Sequence, residues 1–359
     1  MNDSGSLGVW RGAALYVGAL VGPGLLLVPA LATEAAGPAS IVAWVALLVL
    51  SAPLAITFAA LGVMHPVSGG VAAYVGEGFG RVAAGVTGAC FMGAVVIGGP
   101  AVALIGGNYV ADLSGAGSRT ATAAALAMVA AVIFANAFGL RVSSGLQLAL
   151  STVLVAVVVL AVGGTLPAHA DENWHPFAPH GWWAVGTSAN ILMWLFVGWE
   201  AMAQMAGEFR RPAVELPRAA AIAFAVIAFL YLGLATATIT VTAGTHSDVP
   251  LADLIEAGFG QAGRDAAAVL AAALTMGTMN VYMGGSARLA AALAQARALP
   301  TWLGAEPSRS IPRRPLLVLA VTTPCLLLGS PPGSAARPLS CAQARPASSR
   351  STCWHSPRR

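Results

Sequence analysis

Hydrophobic residues run along this chain in blocks of membrane length, and polar residues are confined to the gaps between them. Windows of about 20 apolar residues, the length a helix needs to cross the hydrocarbon core, fall at 11–33, 39–64, 83–110, 119–139, 144–166, 184–206, 218–243 and 265–295. A ninth begins at Pro315 and stops near Leu328, short of that length. Two stretches fit neither a span nor a solvated loop. Residues 65–81 are Gly-rich yet apolar and predict a short amphipathic or re-entrant piece at one face. Residues 248–259 set apolar side chains at helical spacing with acids between them, the pattern of a short helix lying over the bundle as a lid. Either pattern suits plain packing equally well.

Composition agrees with an all-α polytopic membrane protein. Of the 359 residues 57% are hydrophobic and 9% charged, against about a quarter charged in soluble domains. The net charge is +4; with no lysine, every basic side chain other than histidine is an arginine, and nearly all of these sit in short loops or in the tail. Alternating spans with the N-terminus inside place Arg11, Arg81, Arg141, Arg210, Arg211, Arg218, Arg297, Arg309, Arg313 and Arg314 on one side, with only Arg119 and Arg264 opposite. That asymmetry predicts a multi-pass protein of the inner or plasma membrane with a cytoplasmic N-terminus, and argues against a nucleic-acid partner. The first apolar run is followed by another span rather than a cleavage site, so no secretory signal is expected. Four cysteines form no C-x-x-C pair, and all six histidines lie in loops or the tail, so neither a metal nor a cofactor is expected. With no H-E-x-x-H and no G-x-S-x-G, enzyme chemistry is not expected either. No ring of charged residues lines a span, which argues against a channel.

The first span breaks itself. Gly22-Pro23-Gly24 sits mid-membrane, where unwound backbone is viable only inside protein or beside a polar cavity. Gly198 holds a similar place in the sixth span, next to Glu200, the carboxylate expected deepest in the hydrocarbon. An acid there is a functional candidate by default, as a proton-coupling group or as a hydrogen-bonded brace for the helix break. Two interrupted segments in corresponding positions of two halves point to a midplane binding site between inverted repeats. Half-helix N-termini would offer N–H groups to a carboxylate. Arg288, inside the eighth window, is expected to snorkel to the near surface.

The motifs Gly18–Gly24 with Val28-Pro29-Ala30, Pro66–Val71, Phe196–Ala201 continuing through Glu208–Pro212 to Pro217–Ala219, and Thr278–Tyr282 through Ala287-Arg288 occur in order. In these the chain resembles amino-acid permeases of the amino acid–polyamine–organocation superfamily, most of all the L-methionine and branched-chain amino-acid exporter branch, over roughly residues 10–328. The resemblance implies two inverted five-helix repeats with the first and sixth helices unwound around the substrate. It implies a secondary transporter of apolar amino acids, coupled to protons rather than sodium. The backbone around Val21, Gly22 and Gly24 would receive the substrate carboxylate, with Pro23 contributing no N–H. Carbonyls near Phe196, Val197 and Gly198 would take the ammonium, with Trp199 beside them. Met193, Trp194, Trp199 and Met202 are candidate pocket walls, with lipid or core contact as the alternative. Asn280 is a candidate for substrate contact or for a bond between helices. The expected partners are therefore an amino-acid substrate and the lipid bilayer.

The end of the chain departs from that pattern. Residues 1–328 read as the permease domain and 329–359, rich in Pro, Ser, Arg and Ala, as a disordered, aberrant tail. The second repeat is thus expected to be truncated, through a frameshift, a sequence error or a natural short form. A transport-inactive membrane protein acting as a partner or sensor, or a decayed gene product, is the competing reading.

Overall fold

A backbone crossing lipid must satisfy its own N–H and C=O groups, and this chain does so with helices. The computed structural model describes residues 7–65, 70–138, 144–165, 171–200, 206–242, 246–295, 297–304 and 312–329. These form α1 (Val9–Leu20), α2 (Val28–Ala36), α3 (Ser40–Met64), α4 (Gly70–Leu113), α5 (Ser118–Ala137), α6 (Ser144–Thr165), α7 (Trp183–Leu192), α8 (Pro212–Thr242), α9 (Pro250–Gln295) and α10 (Arg313–Gly329). Among the described residues there is no strand, only an isolated pairing of Leu7 with Phe209. Several threonine hydroxyls inside the helices bond back to carbonyls one turn earlier, as Thr33 does to Pro29, Thr238 to Leu234 and Thr275 to Ala271, which gives each a partner within its own helix.

Among the described residues, five helical stretches are long and apolar enough to cross a membrane: Val28–Met64, Tyr74–Leu113, Ser118–Ala137, Pro212–Val241 and Pro250–Gln295. Ala149–Gly164 and Trp183–Phe196 are apolar but shorter. The first and sixth expected spans fall outside the set of five because both are broken. The chain therefore runs twice through one series: a broken helix, a long continuous one (α3, α8), then one bent at a glycine (α4, α9). The bends sit at Gly80 (φ 82°) and Gly260 (φ 68°), in space where a Cβ would meet nothing. The backbone angle, not crowding, selects glycine there.

Those bends resolve the two odd segments of the sequence. Residues 70–79 and 250–259 are each a short helical piece set off from the following span by the glycine. The second buries Leu251, Ala252, Leu254 and Ile255 in the main core alongside Leu25, Leu26 and Tyr109. Residues 66–69, Met202 and the expected tail from residue 330 onward lie outside the described residues.

The bundle has two electrically distinct ends. At one, Ala39 bonds Phe177, Asn173 bonds the Thr240 carbonyl, His246 meets Glu34 and Arg264 meets Asp112. At the other, Leu7 bonds Glu208, His65 meets Glu77, and Arg314 bonds the Trp302 carbonyl. The first end carries Glu34, Asp112, Glu172, Asp248, Asp253 and Glu256 against Arg119 and Arg264; the second gathers Arg11, Arg81, Arg210, Arg211, Arg218, Arg297, Arg313 and Arg314 against Glu77, Glu208 and Glu215. Arg288 lies exposed toward the basic end of α9.

Candidate functional site

The first break follows from its three central residues. Val21 donates to Val17 and closes α1; Gly22 is extended (φ −114°, ψ −173°) and donates to Leu20. Pro23 then starts a 3-10 turn, Pro23–Leu26, before α2 begins at Val28. The N–H groups of Val21, Gly22 and Leu25 all have backbone acceptors, and Pro23 has no hydrogen to give. That leaves the Gly24 N–H as the donor of this turn not engaged by another described backbone group.

The second break is built differently. α7 tightens into a 3-10 turn, Met193–Phe196, then Val197 becomes extended (ψ 130°). Gly198 takes φ 137°, a conformation essentially reserved for glycine. Its N–H donates to the Glu200 carboxylate at 2.7 Å, so the acid folds back and caps its own turn.

The two breaks lock together by reciprocal close approach. A Cβ on Gly198 would lie 3.1 Å from the Leu20 side chain and 3.2 Å from the Ala19 carbonyl oxygen. A Cβ on Gly24 would lie 2.9 Å from the Leu195 side chain. Gly198 must be glycine where α1 ends, whereas at Gly24 the tip of the Leu195 side chain alone would have to move. Tyr231 of α8 joins them from behind: its buried hydroxyl lies 2.8 Å from the Leu195 carbonyl oxygen and 3.2 Å from that of Leu20, sharing one hydrogen between the last carbonyls of both broken helices. Tyr109 of α4 donates to the Leu26 carbonyl at 2.9 Å. Neither tyrosine was singled out from the sequence.

Between the breaks and helices α4, α9 and α10 lies an open cavity. Gly22, Pro23 and Gly24 line one side, with Trp194, Val197 and Glu200 beside them. The facing walls are apolar, led by Phe91, Val95, Met279, Met283 and Leu319, with Tyr282 and Thr323 as polar edges. Five of the residues singled out from the sequence therefore meet at one cavity: Gly22, Gly24, Trp194, Val197 and Glu200.

The others are placed elsewhere. Val21 is fully buried in the core beneath the turn. The Phe196 ring stands edge-on to Tyr231 at 5.4 Å and packs toward Trp44. Trp199 is buried against Phe224, and Met193 is 61% exposed on the outer surface of the bundle. Asn280 accepts a hydrogen bond from Asn136 of α5, a bond between helices rather than a cavity contact. Gly198 acts by its angle and its N–H. Among the described residues no cluster of His, Cys, Asp and Glu has the geometry to hold a metal ion.

The amino acid permease family matches residues 7–339 of this chain. The chain is similar to the uncharacterized amino acid permease YecA of Bacillus subtilis, 33% identical over 300 residues, covering 82% of this chain and 70% of that protein. It is 36% identical over 218 residues to the L-methionine/branched-chain amino acid exporter YjeH of Escherichia coli, covering 59% of this chain and 51% of the relative. It is 24% identical over 230 residues to the branched-chain amino acid permease BcaP of Bacillus subtilis, covering 59% and 50% respectively. The chain thus spans 70% of the first relative and about half of the other two.

Proposed function

The chain belongs to the amino acid permease family, and from that premise we propose that it carries apolar amino acids, such as methionine and the branched-chain residues, across the cell membrane. The observation that carries the reading is the cavity where both broken turns meet. Its backbone side is polar, its opposite wall is made of Phe, Val, Met and Leu side chains, and no described arginine or histidine reaches it. A zwitterion with an apolar side chain matches that division: the head group replaces helix-end hydrogen bonds and the side chain is taken out of water.

In this proposal the Gly24 N–H receives the carboxylate, aided by the positive end of the 3-10 turn and α2. Carbonyls at Phe196–Gly198 take the ammonium. An acidic side chain would face Glu200 with no cation to offset it, which disfavours acidic substrates. Glu200 is the proton-coupling group: protonation removes the charge that strengthens the bond from the Gly198 N–H, loosens the second turn and links its shape to the proton gradient. The remaining elements of the proposal are a permease unit over residues 1–328, an inverted-repeat arrangement of its two series of helices, and the basic end on the cytoplasmic side. The charge asymmetry between the ends supports that orientation.

Reconstituted into liposomes, the protein is expected to move labelled leucine and methionine saturably, faster under an imposed proton gradient, and to leave glutamate and arginine untouched. Absence of flux for every apolar amino acid would refute the reading.

A further inference from the structure

Helix α9 ends at the basic end of the bundle through a turn with an uncommon occupant. The Ala298 N–H donates to the Leu293 carbonyl at 2.9 Å, and the Arg297 N–H to that of Ala294 at 3.1 Å. That pair of bonds closes a helix whose next residue is left-handed, a place usually held by glycine. Here Arg297 holds it at φ 60°, the one non-glycine with positive φ among the described residues. A residue kept against its backbone preference directs attention to its side chain. The turn also brings that side chain toward other arginines. Ala298 packs on α4 at Gly85, where a Cβ would lie 3.1 Å from that of Ala298, one turn beyond Arg81. Arg314, in the first turn of α10, donates to the Trp302 carbonyl at 2.9 Å, with Arg313 just before it. The connection from α9 to α10 thus gathers Arg81, Arg297, Arg313 and Arg314, all exposed. Among the described residues no carboxylate pairs with any of the four, and Glu77, four residues before Arg81, is paired with His65. Exposed apolar side chains then continue each helix: Val82 and Val86 after Arg81, Leu317 and Val321 after Arg313. Trp302 stands exposed on the connection itself.

We propose that this surface binds an anionic phospholipid, its phosphate held by the four arginines and its acyl chains lying along the apolar rows of α4 and α10. Arginine suits the phosphate because its planar fork donates two parallel bonds. What lies beside the charge selects a lipid over a nucleic acid. An RNA has no use for apolar rows, whereas a lipid presents phosphate and hydrocarbon side by side, with an indole favoured at their boundary. Placement separates this site from the general excess of arginine at the basic end. Arg11 stands on α1, which packs against α6 and α8, and Arg211 already has Glu215 as a partner. A lipid bound here bridges α4, α9 and α10, the three helices that wall the cavity opposite the broken turns. The site stands whether or not the transport reading does.

The test is equilibrium binding of radiolabelled phosphatidylglycerol to the purified full-length protein in a mild non-ionic detergent. Phosphatidylcholine, inorganic phosphate and an RNA oligonucleotide serve as competitors. Binding is expected to saturate, to weaken as salt is added, and to resist all three competitors. Arg297→Gln and Arg313→Gln are each expected to weaken it about fivefold, the equivalent of about 1 kcal/mol per arginine near an anionic surface, while Arg11→Gln leaves it unchanged. Arg297→Gly separates the side chain from the turn. It relieves the left-handed position, so the unfolding temperature without lipid should hold or rise while lipid affinity falls as in Arg297→Gln. Parent-like binding by both Arg297→Gly and Arg313→Gln, or an equal loss in Arg11→Gln, would overturn the site. So would displacement by phosphatidylcholine, by free phosphate or by the oligonucleotide, which would assign the surface to bulk lipid, to a small anion or to RNA.

Discussion

The two broken turns face one cavity but are held by opposite means. Residues 21–27 are fixed from outside: proline removes a donor, the 3-10 turn consumes the neighbouring N–H groups, and Tyr231 and Tyr109 clamp carbonyls on either side of it. Residues 193–200 are fixed from within: Gly198 takes an angle few other residues adopt, and Glu200 caps the turn two residues behind it. A turn braced by distant side chains is a fixed platform. A turn braced by an ionisable group of its own can change shape when that group gains a proton. In the proposed function the first turn binds the substrate carboxylate and the second is the coupling element.

Gly198→Ala should damage the assembly most. A Cβ there is strained by φ 137° and crowds the Ala19 carbonyl, a cost of about 1–3 kcal/mol for the angle alone. Thermal unfolding in detergent should fall by several degrees and flux should vanish; wild-type behaviour would mean the second turn is not tied to α1 as described. Glu200→Gln comes next. The amide keeps an oxygen to accept the Gly198 N–H but cannot titrate, so folding should survive while the proton-driven part of leucine flux is lost. Flux with an unaltered pH profile would reduce Glu200 to a brace and erase the distinction between the turns.

Tyr231→Phe removes the hydrogen shared by Leu195 and Leu20, worth about 1 kcal/mol as a single bond, more if both buried carbonyls are left unmet. A modest loss of stability with reduced flux is expected, and a neutral outcome on both would show that the glycine contacts suffice. The smallest effect concerns the far end of α2, where His246 Nδ1 meets Glu34 at 3.1 Å. That hydrogen bond raises the His246 pKa above 6.5 against a smaller opposing effect of burial, with the Glu34 and Asp248 charges adding to the rise. The pair's contribution is therefore complete below pH 6.5 and disappears as pH climbs through the raised folded-state value. Both groups are about half exposed, so His246→Ala should cost at most about a few tenths of a kcal/mol near pH 6 and nothing near pH 9. An equal cost at both pH values would mean that packing, not charge, holds that end.

What could be read from the sequence follows from how local each cause is. Gly22-Pro23-Gly24 announced its break because proline's missing N–H and glycine's freedom belong to the residues themselves. The segments 65–81 and 248–259 stood out by composition and by helical spacing, but the glycine bends that close them at Gly80 and Gly260 were not read. Tyr231 and Tyr109 were not legible, since their importance lies in carbonyls 211 and 83 residues away along the chain. Asn280 was visible as a polar group in an apolar span, but its partner Asn136 was not. Around Gly198, sequence proximity misled: the sharp turn sends Phe196 and Trp199 into the core and Met193 outward, while Trp194 and Val197 reach the cavity. Which neighbour faces the cavity depends on that backbone angle, which the sequence makes possible at glycine without setting its value.

The central claim, that substrate sits against the first broken turn, is tested most directly at Gly22. It lines the cavity, its φ of −114° suits any residue, and a Cβ there meets nothing within 4 Å. Gly22→Val should therefore fold as the wild type does while filling the space assigned to the amino acid. Equilibrium binding of labelled leucine to purified protein is the measurement. Saturable wild-type binding displaced by methionine, with affinity weakened at least about tenfold in Gly22→Val, equivalent to about 1.4 kcal/mol, is the predicted result. Equal binding by wild type and variant, both with intact folding, would contradict it.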